Sequence, residues 1–253
     1  MGRTLSFYDL RDAMALPGCP VCRLKADAVR RHVDNLLWES VNDAGVRREI
    51  RHARGFCQQH AWQLVESGSS LGVVIIMHDV MQHVLQLLET AEFQPPAPTL
   101  RQRARSALDP SYAAPANAAL LTKLRPQASC PVCVHAETTE RVLISTLVQE
   151  LLGEDGLLPA FRASEGLCLL HLRHALAQTP NAEVFTALIG VQREIWRRLI
   201  DQLAELIRKE DYRFRNEVRG EEKGASLRAL AILSGPRIVT ETNDSVTKRG
   251  TRT

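Results

Sequence analysis

One metal-binding phrase is written twice in this chain, at a fixed offset. Cys19-Pro20-Val21-Cys22 and Cys57-Gln58-Gln59-His60 return as Cys130-Pro131-Val132-Cys133 and Cys168-Leu169-Leu170-His171, and all six cysteines of the chain belong to these phrases. The step from Cys19 to Cys130 is the step from every member of the first set to its counterpart in the second. Tetrahedral zinc takes four thiolate or imidazole donors, and a structural site draws all four from the protein. A Cys-x-x-Cys knuckle offers two sulfurs from one turn. A Cys-x-x-His step puts two more donors on one helical face, because residues three apart are neighbours there. The pattern therefore predicts two Zn2+ per chain, one Cys3His site per copy. Cys19, Cys22, Cys57 and His60 form the first set, and Cys130, Cys133, Cys168 and His171 the second. Three thiolates and a neutral imidazole leave each centre with a charge of about −1, which a nearby cation would offset.

Other cysteine chemistries fit less well. Three cysteines per copy cannot pair off as disulfides, and a redox Cys-x-x-Cys needs a βαβ setting that the sequence lacks. Haem attachment needs a histidine after the second cysteine, where Arg23 and Val134 stand. A Cys3His iron–sulfur cluster remains the alternative metal group. Pro20 and Pro131 suit the knuckle by fixing φ and removing a donor. Gly55 and Gly166 stand two residues before the third cysteine of each copy, where a turn must lead into the ligand-bearing helix.

The copies align without gaps from Cys19 to His60, and Arg30, Leu36, Glu39, Gly45 and Arg51 recur as Arg141, Leu147, Glu150, Gly156 and Arg162. This recurrence separates ligands from bystanders. His174 lies opposite Gln63 and His135 opposite Leu24, so neither is expected to bind metal. The pairs Glu39–Arg51 and Glu150–Arg162 are expected to be ion pairs between helix and turn. The alternative has each arginine donating to metal-bound sulfur.

Aromatic residues make up only 5% of the chain, and Leu, Ala and Arg dominate, which favours helices over sheets. The expected fold is all-α: two related helical lobes, each built around its own Cys3His zinc knuckle, with a long C-terminal helix. The first repeat covers 1–93, a proline-rich basic linker 94–129, the second repeat 130–215, and a tail with a short apolar helix and a disordered end 216–253. Helices are expected from Ser6 to about Ala15, from Cys22 to Val41, over Leu71–Glu92, and from Asn181 to about Arg215. In Leu71–Glu92 the expected buried stripe is Val74, His78, Met81, Leu85 and Leu88. The stripe Val184–Leu206 is expected to pack on that helix, or else to form a dimer seam. A short helix over Thr99–Leu108 would carry Arg101, Arg103 and Arg105. No apolar run approaches the ~20 residues of a membrane span, the N-terminus carries no apolar signal segment, and reduced metal-binding cysteines point to the cytoplasm.

The phrases CPVCRL, WESVNDAGVR, RGFCQQHAWQL and LGVVIIMHDV, with SLRALAILSG near the C-terminus, resemble a functionally uncharacterised bacterial family of duplicated helical proteins. The resemblance implies that the same eight cysteines and histidines are that family's metal ligands. It implies no substrate or reaction.

Three functions are in view. The first is a zinc-stabilised helical scaffold or adaptor that binds another protein, its zinc structural rather than catalytic. The second is a nucleic-acid-associated protein that uses its basic segments. The linker carries 5 basic and 1 acidic residues and the segment from residue 208 onward 11 and 7, whereas residues 1–92 carry 10 and 11 and residues 130–207 carry 6 and 10. Positive charge thus sits away from the zinc-bearing repeats, unlike most nucleic-acid binders. The third is a small-ligand binder or enzyme in a crevice between the lobes, with Asp79 and His83 as its nearest polar pair. No catalytic set of residues is evident.

Overall fold

The computed structural model describes residues 3–96, 108 and 116–236. Among these, every regular element is helical: α1 (Leu5–Met14), α2 (Pro20–Trp38), α3 (Ala44–His52), α4 (Gln58–Glu66), α5 (Ser70–Glu89), α6 (Ala118–Leu124), α7 (Pro131–Gln149), α8 (Leu158–Ala163), α9 (Leu169–Ala177), α10 (Ala182–Glu210) and α11 (Ala225–Ser234). The candidate helix at Thr99–Leu108, with its three arginines, and the end of the tail lie outside the described residues, apart from Leu108.

The chain forms two compact units, and they are not the two repeats. One unit is Met1–Val29 with His135–Thr253; the other is Arg30–Val134. The divisions fall inside α2 and inside α7. The expected partition at 1–93 and 130–215 therefore does not describe the compact bodies. Each unit takes the knuckle of one repeat and the Cys-x-x-His helix of the other.

The first unit holds the larger core. Phe7, Leu10 and Met14 of α1 enter it with Ile144 and Leu147 of α7, Leu151 just beyond α7, Phe161 of α8, and Leu188 and Val191 of α10. Leu5, at the start of α1, points out to solvent. Asn181 caps α10, its side chain accepting from the Val184 N–H at 2.9 Å, which starts the helix where the sequence indicates. The stripe of α10 is buried within this unit rather than by Leu71–Glu92. Val184 to Ile195 join the core, and Leu199 lies under the tail helix α11 with Ala225 and Ile232. That arrangement leaves Val184–Ile195 enclosed by the chain itself.

The second unit is built from α2 beyond Val29, α3, α4, α5 and α6. Leu36 and Leu37, Ile50, Leu64, Ile76 and Val80 are among its buried apolar residues. Asp43 caps α3 by accepting from the Val46 N–H at 2.8 Å. At Gly72 an added Cβ would lie 2.5 Å from the Leu37 carbonyl oxygen, so only glycine lets α5 pass that close. The face of α5 turned inward is Gly72, Ile76 and Val80. The expected buried stripe is the exposed one: Val74, Met81, Leu85 and Leu88 are half-exposed or more, and His78 is exposed. Apolar residues occur on both sides of α5, so periodicity alone does not choose between the faces.

At the offset of the Cys19–His60 match, Ala118 and Leu121 of α6 stand opposite Ala229 and Ile232 of α11. Helix α6 packs on α5, and α11 packs on α10. The segments read as linker and tail each contribute a repeat's last helix.

Candidate metal centres

Each cluster lies between the N-terminal ends of two helices. Cys57 and Cys168 are the N-cap residues of α4 and α9, with nearly identical backbones at φ −65°, ψ 161° and φ −69°, ψ 162°. Cys19 and Cys130 precede the knuckle helices, their carbonyls accepting from the N–H groups of Arg23 and Val134 at 3.2 and 3.1 Å. Gly55 and Gly166 take φ +97° and +77°, the left-handed turn that brings the chain into each N-cap cysteine. Thiolates placed at helix N-termini are favoured by the aligned peptide dipoles. Two such termini face each cluster, so its net negative charge is met in part by backbone.

All eight ligands foreseen from sequence fall into two clusters of four, with the donor atoms of each within 4.8 Å of one another. The pairing differs from the expected one. Cys19 and Cys22 join Cys168 and His171, whereas Cys57 and His60 join Cys130 and Cys133. The knuckle of each repeat meets the histidine helix of the other. Local spacing constrains each ligand pair but not which pairs meet, and the topology of α2 and α7 makes that choice.

In the first cluster, His171 Nδ1 lies 3.3 Å from both Cys19 Sγ and Cys22 Sγ and 3.2 Å from Cys168 Sγ, and Cys22 Sγ is 3.6 Å from Cys168 Sγ. In the second, His60 Nδ1 lies 3.2, 3.6 and 3.3 Å from the sulfurs of Cys57, Cys130 and Cys133, and Cys57 Sγ is 3.6 Å from Cys133 Sγ. A zinc tetrahedron with ordinary bond lengths has S···S edges of about 3.8 Å and S···N edges of about 3.5 Å. Both clusters have the size and donor set of such a site and could hold a metal ion, consistent with zinc.

Three sulfurs this close cannot all carry charge without a cation among them. Contact with Cys168 is the main cause pushing the Cys22 thiol far up, while Cys19 and Cys22 together hold Cys168 far down. Burial, joined by contact with Cys57, pushes Cys133 up to about 12. Burial opposes charge on His171, but the sulfurs of Cys168 and Cys19 outweigh it and lift the ring to about 10. A divalent cation resolves this conflict by neutralising the thiolates together.

Beyond the donors, the first cluster has polar supports that sequence reasoning missed. Glu140 is buried, and its Oε2 lies 3.5 Å from His171 Nε2 and 2.5 Å from Lys25 Nζ. Its Oε1 meets His174 Nδ1. Burial works against the charged carboxylate, yet Lys25 beside it holds Glu140 below the usual carboxylate range. His174 is thus no donor atom of the cluster, as its mismatch with Gln63 indicated, but it touches the residue behind one. Glu165 accepts from the Gly18 N–H at 2.8 Å, tying the two ligand loops together. Buried Gln192 clasps Leu167, accepting from its N–H at 3.0 Å and donating to its carbonyl at 3.1 Å.

The expected Glu39–Arg51 and Glu150–Arg162 pairs do not form. Arg51 Nη1 binds Asp79 Oδ2 at 2.8 Å, Arg47 adds a contact to Asp79 at 3.4 Å, and Arg162 meets Glu194 at 3.4 Å. Each arginine reaches the long helix that follows rather than the knuckle helix before it. Asp79 and His83 line a small recess of about 190 Å³ with Arg51, Gln82 and Gln86. Burial and the neighbouring Arg54 lower the pKa of His83. A larger cleft of about 380 Å³ runs between α10, α11 and the 163–165 turn. Its Arg228 is held by Gln202 Oε1 and the Glu221 carbonyl.

Fold and site together define a duplicated all-helical protein with two cross-paired Cys3His clusters. The chain belongs to a family of unknown function, DUF6062, whose model matches residues 1–239. It is also similar to an uncharacterised 23.9 kDa protein encoded in the xynA 3′ region of Caldicellulosiruptor sp. (strain Rt8B.4). That relative is 24% identical over 200 residues, which cover 77% of this chain and 83% of the relative. No solved structure matches the chain.

Proposed function

We propose that the protein is a helical scaffold, stabilised by two structural zinc ions, that docks a protein partner through the outer face of α5. Four protein donors close each zinc and leave no position for substrate. The observation that carries the docking role is the apolar stripe Leu71, Val74, Met81, Leu85 and Leu88, with Leu71 and Met81 70% and 69% exposed. Trp38 of α2 and Trp62 of α4, both exposed, belong to the same unit. Aromatic and Met side chains of this kind are enriched in protein interfaces.

Helix α5 is the one described helix long and apolar enough to cross a membrane, although its apolar runs read as too short in sequence. Its other side is committed to protein: Asp79 is held by Arg47 and Arg51, and Gly72 lies against the Leu37 backbone. That commitment supports a docking face over a span, and a cytoplasmic protein is the matching expectation.

A photo-crosslinking residue placed at Met81 in native cells should give a discrete protein adduct. Leu85→Glu should abolish the adduct while metal content and helicity stay at wild-type levels. A metal-loaded, folded chain that gives no adduct would overturn the docking role.

A further inference from the structure

We propose that Glu140 is a positioning residue that makes the Cys19–Cys22–Cys168–His171 cluster the metal-retaining centre and leaves Cys57–His60–Cys130–Cys133 as the centre that yields its metal first. The inference rests on the reading that both clusters hold a metal.

His171 turns Nδ1 to the three sulfurs, so its buried Nε2, which makes no hydrogen bond, faces the other way, with Glu140 Oε2 its nearest carboxylate oxygen at 3.5 Å. A carboxylate behind a ligating imidazole fixes the tautomer, orients the ring and raises its donor strength. Glu140 is itself held on both oxygens. Lys25, one turn along α2 from Cys22, grips Oε2, and His174, one turn along α9 from His171, meets Oε1. Both ligand helices are thereby tied to α7 beside the cluster. For His171 to leave its metal, it must also leave this charged, buried arrangement.

The other repeat has none of these groups. The positions that match Glu140, Lys25 and His174 in the other copy hold Val29, Ala136 and Gln63. Val29, at the position that matches Glu140, brings no carboxylate to His60. Two centres with the same donors and near-identical spacing therefore differ in what stands behind the imidazole, which is the arrangement expected to govern how fast each lets go.

The test uses the full chain loaded with Zn2+ and challenged with excess chromophoric chelator. Two phases of one equivalent each are expected, and Cys133→Ser should remove the fast one. Glu140→Gln should quicken the slow phase by about 10–100-fold and leave the fast phase alone. His174→Gln, a change at an exposed residue that copies Gln63, should quicken it less. In the Co2+-loaded chain, Glu140→Gln should alter the absorption of one centre only, which a loss of packing would not do. Fewer than two equivalents of metal on the wild-type chain would overturn the metal reading itself. With two equivalents bound, a single release phase, loss of the slow phase in Cys133→Ser, or a Glu140→Gln effect on both phases or neither would overturn the role of Glu140 alone. Should Glu140→Gln lose helicity, an unchanged slow phase in His174→Gln would overturn it.

Discussion

At Cys57 and at Cys168 the chain enters a helix with ψ of 161° and 162°, and the four donors around each are chemically the same. One step outward the two regions part. Behind the first cluster stand Glu140, Lys25 and His174, Glu165 on the Gly18 N–H, and Gln192 on the Leu167 backbone. At the matching positions of the first repeat, Glu140, Glu165 and Gln192 are replaced by Val29, Arg54 and Met81, and Met81 is exposed. The second unit has put its polar contacts elsewhere, on Asp79 between Arg47 and Arg51, and has left one side of α5 bare. The two repeats keep the same donors and differ in the residues around them.

The contrast is open to direct attack. The largest effect concerns which cysteines share a centre. Cys22→Ser with Cys168→Ser should cost one metal, since both serve one cluster, whereas Cys22→Ser with Cys57→Ser should cost two. Native mass spectrometry gives the count, and the reverse result would restore within-repeat pairing. Next in size is Gln192→Ala, which strips two backbone bonds from a buried loop. It should destabilise the chain by about 1–3 kcal/mol, whereas Met81→Ala should change denaturant midpoints little. Smaller again is the difference between the two turn glycines. Both Gly55→Ala and Gly166→Ala force a Cβ into the left-handed region, at about 1–2 kcal/mol. At Gly166 that Cβ also lies 2.9 Å from Gln192 Nε2, whereas at Gly55 the nearest atom is Val80 Cγ1 at 3.8 Å. Gly166→Ala should therefore melt lower.

The smallest effect is local and depends on pH. The segment that leads into α11 is anchored to α10 through buried Lys209, which bonds Glu222 at 2.7 Å and the Val218 carbonyl at 2.8 Å. Lys209 holds Glu222 below its ordinary value, and Glu222 holds Lys209 above its own. The contribution of Glu222 is thus present above about pH 4.5 and lost as pH falls through its lowered value. That of Lys209 is present below about pH 10.5 and lost as pH rises through its raised value. Fluorescence of Trp196, which packs on the Leu199–Ile232 cluster, should change at both extremes, and Glu222→Gln should remove the acid transition.

Much of this was legible in the residues. The eight donors, the two turn glycines, the helical class and the start of α10 follow from local chemistry, which short spacings encode. Three things were not. Pairing across repeats depends on chain topology, and Cys-x-x-Cys spacing is the same whichever Cys-x-x-His it meets. The buried side of α5 was misread because that helix is apolar on both sides, and what decided it was Gly72 against Leu37. Glu140 was hidden by the filter that worked for the ligands. Comparing the repeats sets His135 and His174 aside, but it also discards any residue that serves only one copy.

The crossing of the ligand pairs has a consequence in time. A chain is made from its N-terminus, and His60 emerges 70 residues before Cys130. At about 5–20 residues per second, several seconds pass in which Cys19, Cys22, Cys57 and His60 are the only donors of this kind outside the ribosome. They form a complete Cys3His set, and it is the wrong one. A metal captured then must trade Cys19 and Cys22 for Cys130 and Cys133, and the two released cysteines wait for His171 to be made. For a chain that fills both clusters with metal, maturation would then be a problem of ligand exchange, and yield would follow the metal free during translation.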